Sequence, residues 1–126
     1  MVLDNNKILI VDDEKALRFG LSRCIKAAGF ETLEAADGNE AMCLVSEHGP
    51  GLIILDVMMR GMSGLEVCRL LRKDPQVEEI KIIILSAKGQ IKEREEGLDA
   101  GADYYITKPF DYRELIKTIK QSLESR

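Results

Sequence analysis

Three aliphatic runs decide the fold: KILIV at Lys7–Val11, LIIL at Leu52–Leu55 and KIIIL at Lys81–Leu85. Each run is almost continuously apolar instead of alternating between apolar and polar residues. Continuous runs of this length are typical of strands that are covered on both faces, as in a parallel sheet flanked by helices. The sequence therefore predicts a buried parallel sheet built around these three strands.

Segments with helical spacing lie between the strands. In the first of them Leu17, Leu21 and Ile25 recur on one helical face, and Gly29 follows as a stop signal. The second helix is expected to end before Gly49-Pro50-Gly51. The predicted strands are Lys7–Val11, Phe30–Ala35, Leu52–Leu55, Lys81–Leu85 and Tyr104–Thr107, and the last two predicted helices are Ile91–Ala100 and Tyr112–Leu123. This alternation, with right-handed crossovers, predicts a doubly wound α/β fold in which residues 1–126 form a single domain.

The composition fits a globular domain and disfavours several classes of function. Of the 126 residues, 45% are hydrophobic and 32% are charged, and the net charge of -4 argues against binding nucleic acid by charge alone. Neither a signal peptide nor a membrane span is indicated by the apolar runs. Cys24, Cys43 and Cys68 form no CxxC pair, so we expect reduced thiols and a cytoplasmic location.

Polar residues follow the predicted strands at the points where the strands end. Asp12 and Asp13 follow the first strand, Asp56 the third, Ser86 the fourth and Lys108 the fifth. The carboxyl ends of parallel strands share one edge of the sheet, which is where open α/β sheets bind ligands. We therefore expect the three carboxylates to converge there.

Three clustered carboxylates repel one another, so at least one should have a raised pKa unless a cation is bound. Mg²⁺ suits such a cluster because it prefers oxygen ligands and retains several waters. With Lys108 as a second positive charge and the Ser86 hydroxyl as a donor, the set suits phosphoryl transfer. Taken singly, each residue also has an ordinary interpretation, as a helix cap, a solvated strand end or a surface lysine.

Four segments resemble the signatures of response-regulator receiver domains, in matching order and spacing over nearly the whole chain. They are ILIVDDE at 8–14, LIILDVMM at 52–59, ILSAKG at 84–89 and GADYYITKPF at 101–110. The resemblance implies a five-stranded (βα)5 flavodoxin-like fold with strand order 2-1-3-4-5. It also implies a role in two-component signal transduction.

The resemblance assigns the site residue by residue. Asp56 would be the phosphoacceptor, and Mg²⁺ would be held by Asp12, Asp13, Asp56 and the backbone carbonyl of Met58. Lys108 would contact the phosphoryl group.

The same resemblance implies a switch and its partners. Ser86 would move toward the phosphoryl group, Tyr105 would turn inward with it, and the Lys108-Pro109 peptide would be cis. Helix four, strand five and helix five would form the readout surface. The implied partners are a histidine kinase or phosphotransfer protein upstream and an output domain or target protein downstream, with a phosphorylation-dependent homodimer left open. Neither direct nucleic-acid binding, membrane binding nor enzymatic turnover is expected.

Three residues near the site depart from the family pattern or vary within it. Arg60 stands where proline is common in the family. Met58 cannot orient an attacking water by a strong hydrogen bond, so we hypothesise slow hydrolysis of the aspartyl phosphate. Lys88 either shields the phosphoryl group or is a solvated lysine.

Three alternatives stay open at this point. An aspartate-nucleophile phosphatase of the D-x-D type would need a second carboxylate at position 58, where Met58 stands. A nucleotide or flavin binder would need a glycine-rich or hydroxyl-rich loop after the first strand, where Asp12 and Asp13 would repel phosphate. The last alternative is an interaction domain that is never phosphorylated.

Overall fold

The computed structural model describes residues 1–124, in which strands and helices alternate along the chain. The strands are β1 (Asp4–Val11), β2 (Glu31–Ala35), β3 (Pro50–Leu55), β4 (Lys81–Ser86) and β5 (Tyr104–Thr107), and the helices are α1 (Lys15–Ala27), α2 (Gly38–His48), α3 (Gly64–Lys73), α4 (Ile91–Asp99) and α5 (Tyr112–Glu124). None of the helices within this range is long and apolar enough to cross a membrane.

All four strand pairings are parallel, and the sheet order is β2-β1-β3-β4-β5. The predicted doubly wound fold and strand order are therefore confirmed. The chain proceeds from β1 to one edge and then returns past β1 to β3. The strand order thus reverses between β1 and β3, which is the position where ligands bind in open α/β sheets.

Successive residues of the central strands point to opposite faces of the sheet, and both faces are covered. One face carries Leu9, Val11, Ile53, Leu55, Ile82 and Ile84, which pack with residues of α2 and α3 such as Ala41, Val45, Val67, Cys68 and Leu71. The opposite face carries Ile8, Ile10, Leu52, Ile54, Ile83 and Leu85, which pack with Leu21 and Ile25 of α1 and Leu115 and Ile119 of α5. Burial on both faces explains why these strands are continuously apolar.

Two strands begin earlier than the sequence predicts. β1 begins at Asp4 instead of Lys7, and β3 begins at Pro50 within the expected Gly49-Pro50-Gly51 turn. The amide of Asp4 donates to the carbonyl oxygen of Gly49 at 2.7 Å, and Asp4 pairs with Pro50 before a register shift. Main-chain pairing extends both strands here, so the apolar pattern does not reveal the extension.

Arg72 of α3 joins three segments at the edge of the sheet opposite to the carboxyl ends of the strands. Its guanidinium donates to three carbonyl oxygens, those of Gly101 (2.8 Å), Glu78 (2.7 Å) and Ile80 (2.6 Å). It also pairs with the Asp103 carboxylate at 2.9 Å, and this carboxylate accepts from the Ile82 amide at 2.8 Å. The side chain therefore links α3 to the segments that precede β4 and β5.

Replacing Arg72 with Met should lower the free energy of unfolding by about 2–4 kcal/mol, because it removes an ion pair and leaves two partly buried carbonyl oxygens without this donor. Urea denaturation would measure the change. The control is Arg69→Met, which removes an exposed arginine from the same helix and should change stability by less than about 0.5 kcal/mol. Equal losses in the two variants would contradict this role for Arg72.

Candidate functional site

Asp12, Asp13 and Asp56 converge at the carboxyl ends of β1 and β3. One carboxylate oxygen from each lies within 4.8 Å of the other two. The main chain places them: the Asp56 amide donates to Val11 at 3.0 Å and the Asp12 amide donates to Ala35 at 3.2 Å. These bonds extend the pairing of β3 and β2 with β1 by one residue, so the sheet itself positions the cluster. The predicted convergence is observed.

The three carboxylates differ in their access to solvent. Asp12 and Asp56 are 4% and 8% exposed, whereas Asp13 is exposed. One oxygen of Asp12 accepts from the Glu14 amide at 2.9 Å, and one oxygen of Asp56 accepts from the Met58 amide at 3.3 Å. A cation would therefore enter from the Asp13 side and reach two oriented, largely desolvated carboxylates.

Lys108 supplies the positive charge within the cluster. Its Nζ donates to Asp12 Oδ2 at 2.9 Å and to Asp56 Oδ2 at 3.3 Å. Its backbone amide donates to the Ser86 carbonyl at 2.8 Å, and the Lys108-Pro109 peptide is cis, as the resemblance implies. Lys108 is therefore not a free surface lysine, since it bridges two of the three carboxylates.

Burial raises the pKa of the Asp56 carboxyl above its ordinary value of 3.8, and the nearby Asp12 charge adds to this effect while Lys108 opposes it. Repulsion among the carboxylates predicts a raised pKa, but burial is the larger cause of the rise at Asp56. For Lys108, burial lowers the pKa, but Asp12 and Asp56 outweigh burial and raise it above 10.5. The lysine is therefore a cation at neutral pH.

Asp56→Asn should raise the free energy of unfolding near neutral pH in the absence of Mg²⁺. The folded-state pKa of Asp56 lies above its ordinary value of 3.8, so the carboxylate destabilises the fold above the folded-state pKa. This cost disappears as the pH falls below 3.8, where the folded and unfolded states are both protonated. Urea denaturation between about pH 7 and about pH 4 should show a shrinking advantage of the variant.

The matched control for this prediction is Asp13→Asn, which removes a carboxylate of the same cluster at an exposed position. Its stabilisation should be smaller because no desolvated charge is removed. A destabilised Asp56→Asn variant at neutral pH would contradict the prediction.

Ser86 and Tyr105 lie beside the cluster on β4 and β5. The Ser86 side chain is fully buried, and its hydroxyl accepts from the Lys88 amide at 3.2 Å. Tyr105 is 7% exposed, and its hydroxyl donates to the Lys88 carbonyl oxygen. Burial raises the pKa of Tyr105, and the adjacent Ser86 hydroxyl partly offsets the rise. The two predicted switch residues therefore meet at the loop that follows β4.

The geometry argues against the ordinary interpretations of the site residues as caps. Glu14 is the N-cap residue of α1, yet its side chain makes no capping hydrogen bond. Ser86 belongs to β4, and the N-cap of α4 is Gln90. Asp12 and Asp13 precede α1 and form the carboxylate cluster with Asp56.

The three residues that depart from the family pattern or vary within it are all exposed. The Met58 side chain is 57% exposed, and Lys88 is exposed in the loop after β4. Arg60, together with Asp13, Ala36 and Asp37, lines a cavity of about 330 Å³ beside the cluster. Arg60 therefore lies on the Asp13 side of the site, where it contributes positive charge.

Two contributors to the site were not predicted. A Cβ atom at Gly64 would lie 2.2 Å from the carbonyl oxygen of Asp56, so only glycine allows α3 to begin this close to the site. Arg18 of α1 donates from Nη1 to the Asp12 carbonyl oxygen at 2.7 Å. The signal for Gly64 is the receiver-family pattern D-x-x-M-P-x-M-[DS]-G, which begins here at Asp56 and ends at this glycine. Arg18 has no such signal, because its acceptor is a backbone atom.

The donor set fits a hard divalent cation. The cluster offers carboxylate oxygens alone, without histidine or cysteine, and one of its members is open to solvent. Such oxygen donors, with room for waters, favour Mg²⁺ over the softer transition metals.

The chain matches the family model described as the response regulator receiver domain over residues 8–120. It is 44% identical over 116 residues to the phosphate regulon transcriptional regulatory protein PhoB of Pseudomonas aeruginosa, and 42% identical over 117 residues to the response regulator MprA of Mycolicibacterium vanbaalenii. These alignments cover 92% and 93% of this chain but 51% and 50% of the relatives. The chain thus spans about half the length of these relatives.

Solved structures agree with the family match. The chemotaxis protein CheY4 of Vibrio cholerae superposes with a TM-score of 0.86 at 33% identity, covering 92% of this chain and 97% of that one. The receiver domain of the Francisella response regulator 1452 gives a TM-score of 0.88 at 34% identity, covering 94% and 97%.

Proposed function

Because the chain belongs to the response-regulator receiver family, we propose that Asp56 accepts the phosphoryl group through which it takes part in two-component signalling. The observation that carries this proposal is the Lys108 ammonium, bound to both Asp12 and Asp56 within a cluster of three carboxylates. The family resemblance assigns Asp56 as the nucleophile, and Asp56 follows β3 at the point where the strand order reverses.

In the proposed step an oxygen of Asp56 attacks the phosphorus of the donor, and the bond from phosphorus to the leaving atom breaks. The leaving group departs with the electron pair of that bond, and an acyl phosphate remains on Asp56. Lys108 stabilises negative charge on the phosphoryl oxygens. Mg²⁺ bound by Asp12, Asp13, Asp56 and the Met58 carbonyl would supply further neutralisation of that charge.

We expect the donor to be a histidine kinase or a phosphotransfer protein, since this family receives its phosphoryl group from such partners. The chain would catalyse its own phosphorylation and dephosphorylation without acting as a turnover enzyme. We propose that residues 1–126 act as one receiver domain; residues 125 and 126 lie outside the described range. Relatives about twice as long suggest an output domain or target protein downstream.

The proposed output is a change of population between two arrangements of the loops beside Asp56. Ser86 would move toward the phosphoryl group, and Tyr105, whose hydroxyl is bound to the loop after β4, would move with it. These movements would alter the surface of α4, β5 and α5. The altered surface could then bind an output domain, a target protein or a second copy of the chain.

Incubation with Mg²⁺ and acetyl phosphate, followed by intact mass measurement, tests the proposal. The chain should gain the mass of one phosphoryl group, and a chelator should prevent the gain. Asp56→Asn should gain nothing, whereas Asp99→Asn, which alters an exposed aspartate of α4, should behave as the wild type. Phosphorylation of Asp56→Asn would show that another residue is the acceptor.

The same reaction separates the alternatives. A phosphatase would release phosphate from an ester continuously, whereas a receiver stops at one phosphoryl group per chain until that group is hydrolysed. An interaction domain that is never phosphorylated would show no gain in mass under any of these conditions.

Met58→Asn should speed the loss of phosphate from the phosphorylated chain by about threefold or more, because an amide near Asp56 can orient an attacking water and a thioether cannot. The exposed position of Met58 beside Asp56 makes the change compatible with the fold. Met58→Leu is the matched control and should leave the rate unchanged. Equal rates for the Asn variant and the wild type would refute this role of residue 58.

A further inference from the structure

Arg18 of α1 makes two polar contacts, one of them with Asp12, a proposed metal ligand. Its Nη1 donates to the Asp12 carbonyl oxygen at 2.7 Å, and its Nε lies 3.4 Å from Glu34 Oε1 of β2. The side chain is only 15% exposed. We propose that Arg18 is a positioning residue that holds the Asp12-Asp13 peptide in the orientation required for Mg²⁺ binding. This inference rests on the proposed metal site.

The bond from Arg18 acts on the part of the loop that other contacts leave free. The Asp12 carboxylate is already oriented by the Glu14 amide and by Lys108. The Asp12 carbonyl oxygen belongs to the peptide plane that leads into Asp13. Asp13 is exposed, and this plane helps to set the direction in which its side chain leaves the main chain. Holding the plane therefore positions the solvent-facing ligand.

The surroundings of the guanidinium indicate a role other than stability. Its Nε is buried and faces Glu34 at ion-pair distance without the alignment of a hydrogen bond. A buried charge with an incompletely bonded donor gains little net stability, since its desolvation offsets the attraction to its partner. The well-formed bond is the one to the metal-ligand loop.

The charge of Arg18 and its hydrogen bond to the Asp12 carbonyl oxygen predict opposite changes in Mg²⁺ affinity when Arg18 is replaced. Removing a positive charge close to a cation site reduces repulsion, so charge alone predicts tighter Mg²⁺ binding. Loss of a positioning bond predicts weaker binding, because groups that orient metal ligands typically contribute tenfold or more to affinity. The sign of the change therefore distinguishes a positioning residue from a nearby charge.

The test measures the Mg²⁺ dissociation constant of the whole chain by calorimetry, without a phosphodonor. Arg18→Met should weaken binding by about tenfold, and Arg18→Lys, which keeps the charge and one donor, should recover most of the affinity. Arg23→Met is the matched control, since it removes an exposed arginine from the same helix and should have no effect. Amide resonances of metal-free Arg18→Met should shift most at Asp13 and Glu14.

Several outcomes would overturn the inference. A folded Arg18→Met chain that binds Mg²⁺ as tightly as the wild type, or more tightly, would leave Arg18 without a positioning role. If Arg18→Met does not fold, Arg18→Gln provides the neutral variant, and the same signs apply. A wild-type chain that binds no Mg²⁺ would overturn the proposed metal site and this inference with it. Unchanged Mg²⁺ binding in Arg18→Met would overturn only the role of Arg18 and would leave the proposed metal site intact.

Discussion

The ion pair between Lys108 and the carboxylates of Asp12 and Asp56 is the interaction on which the site depends. Its members lie far apart in the chain, after β5, β1 and β3, and they meet because the parallel strands end at one edge. Without the lysine, two largely buried carboxylates would face each other and an exposed third within 4.8 Å. Such a group would be strongly repulsive in a medium of low polarity, so the cation and the sheet topology are required together.

Lys108 neutralises only part of the negative charge of the carboxylate cluster, and the charge that remains suits the proposed chemistry. Burial still raises the pKa of Asp56 despite the adjacent lysine, which means that the carboxylate remains destabilised. A cation that enters beside Asp13 would gain from this excess of negative charge. Transfer of a phosphoryl group would then place new negative charge beside the same lysine, whose own pKa is raised by its partners. The excess negative charge of the cluster therefore favours binding of a further cation, which the ion pair with Lys108 alone does not supply.

The sequence alone predicts the sheet and most of the site because both depend on patterns that are local along the chain. Continuous aliphatic runs identify the strands, and the residues that follow them identify the cluster. The early start of β1 at Asp4 was missed because main-chain pairing, without apolar side chains, extends it. The bonds of Arg18 and Arg72 to carbonyl oxygens were also missed, since a backbone acceptor leaves no trace in residue type or spacing.

Arg72 also connects α3 to the segment that follows α4. Arg72 ties α3 to the Gly101 carbonyl, just beyond the C-terminal end of α4. The opposite end of α4 begins at Gln90, whose side chain makes no capping bond, and Gly97 is the buried residue of the helix. A Cβ atom at Gly97 would lie 2.7 Å from the Tyr105 ring, so only glycine allows α4 to approach the ring this closely. The residue after the C-terminal end of α4 is therefore held through Arg72, whereas no side-chain capping bond holds its N-terminal end.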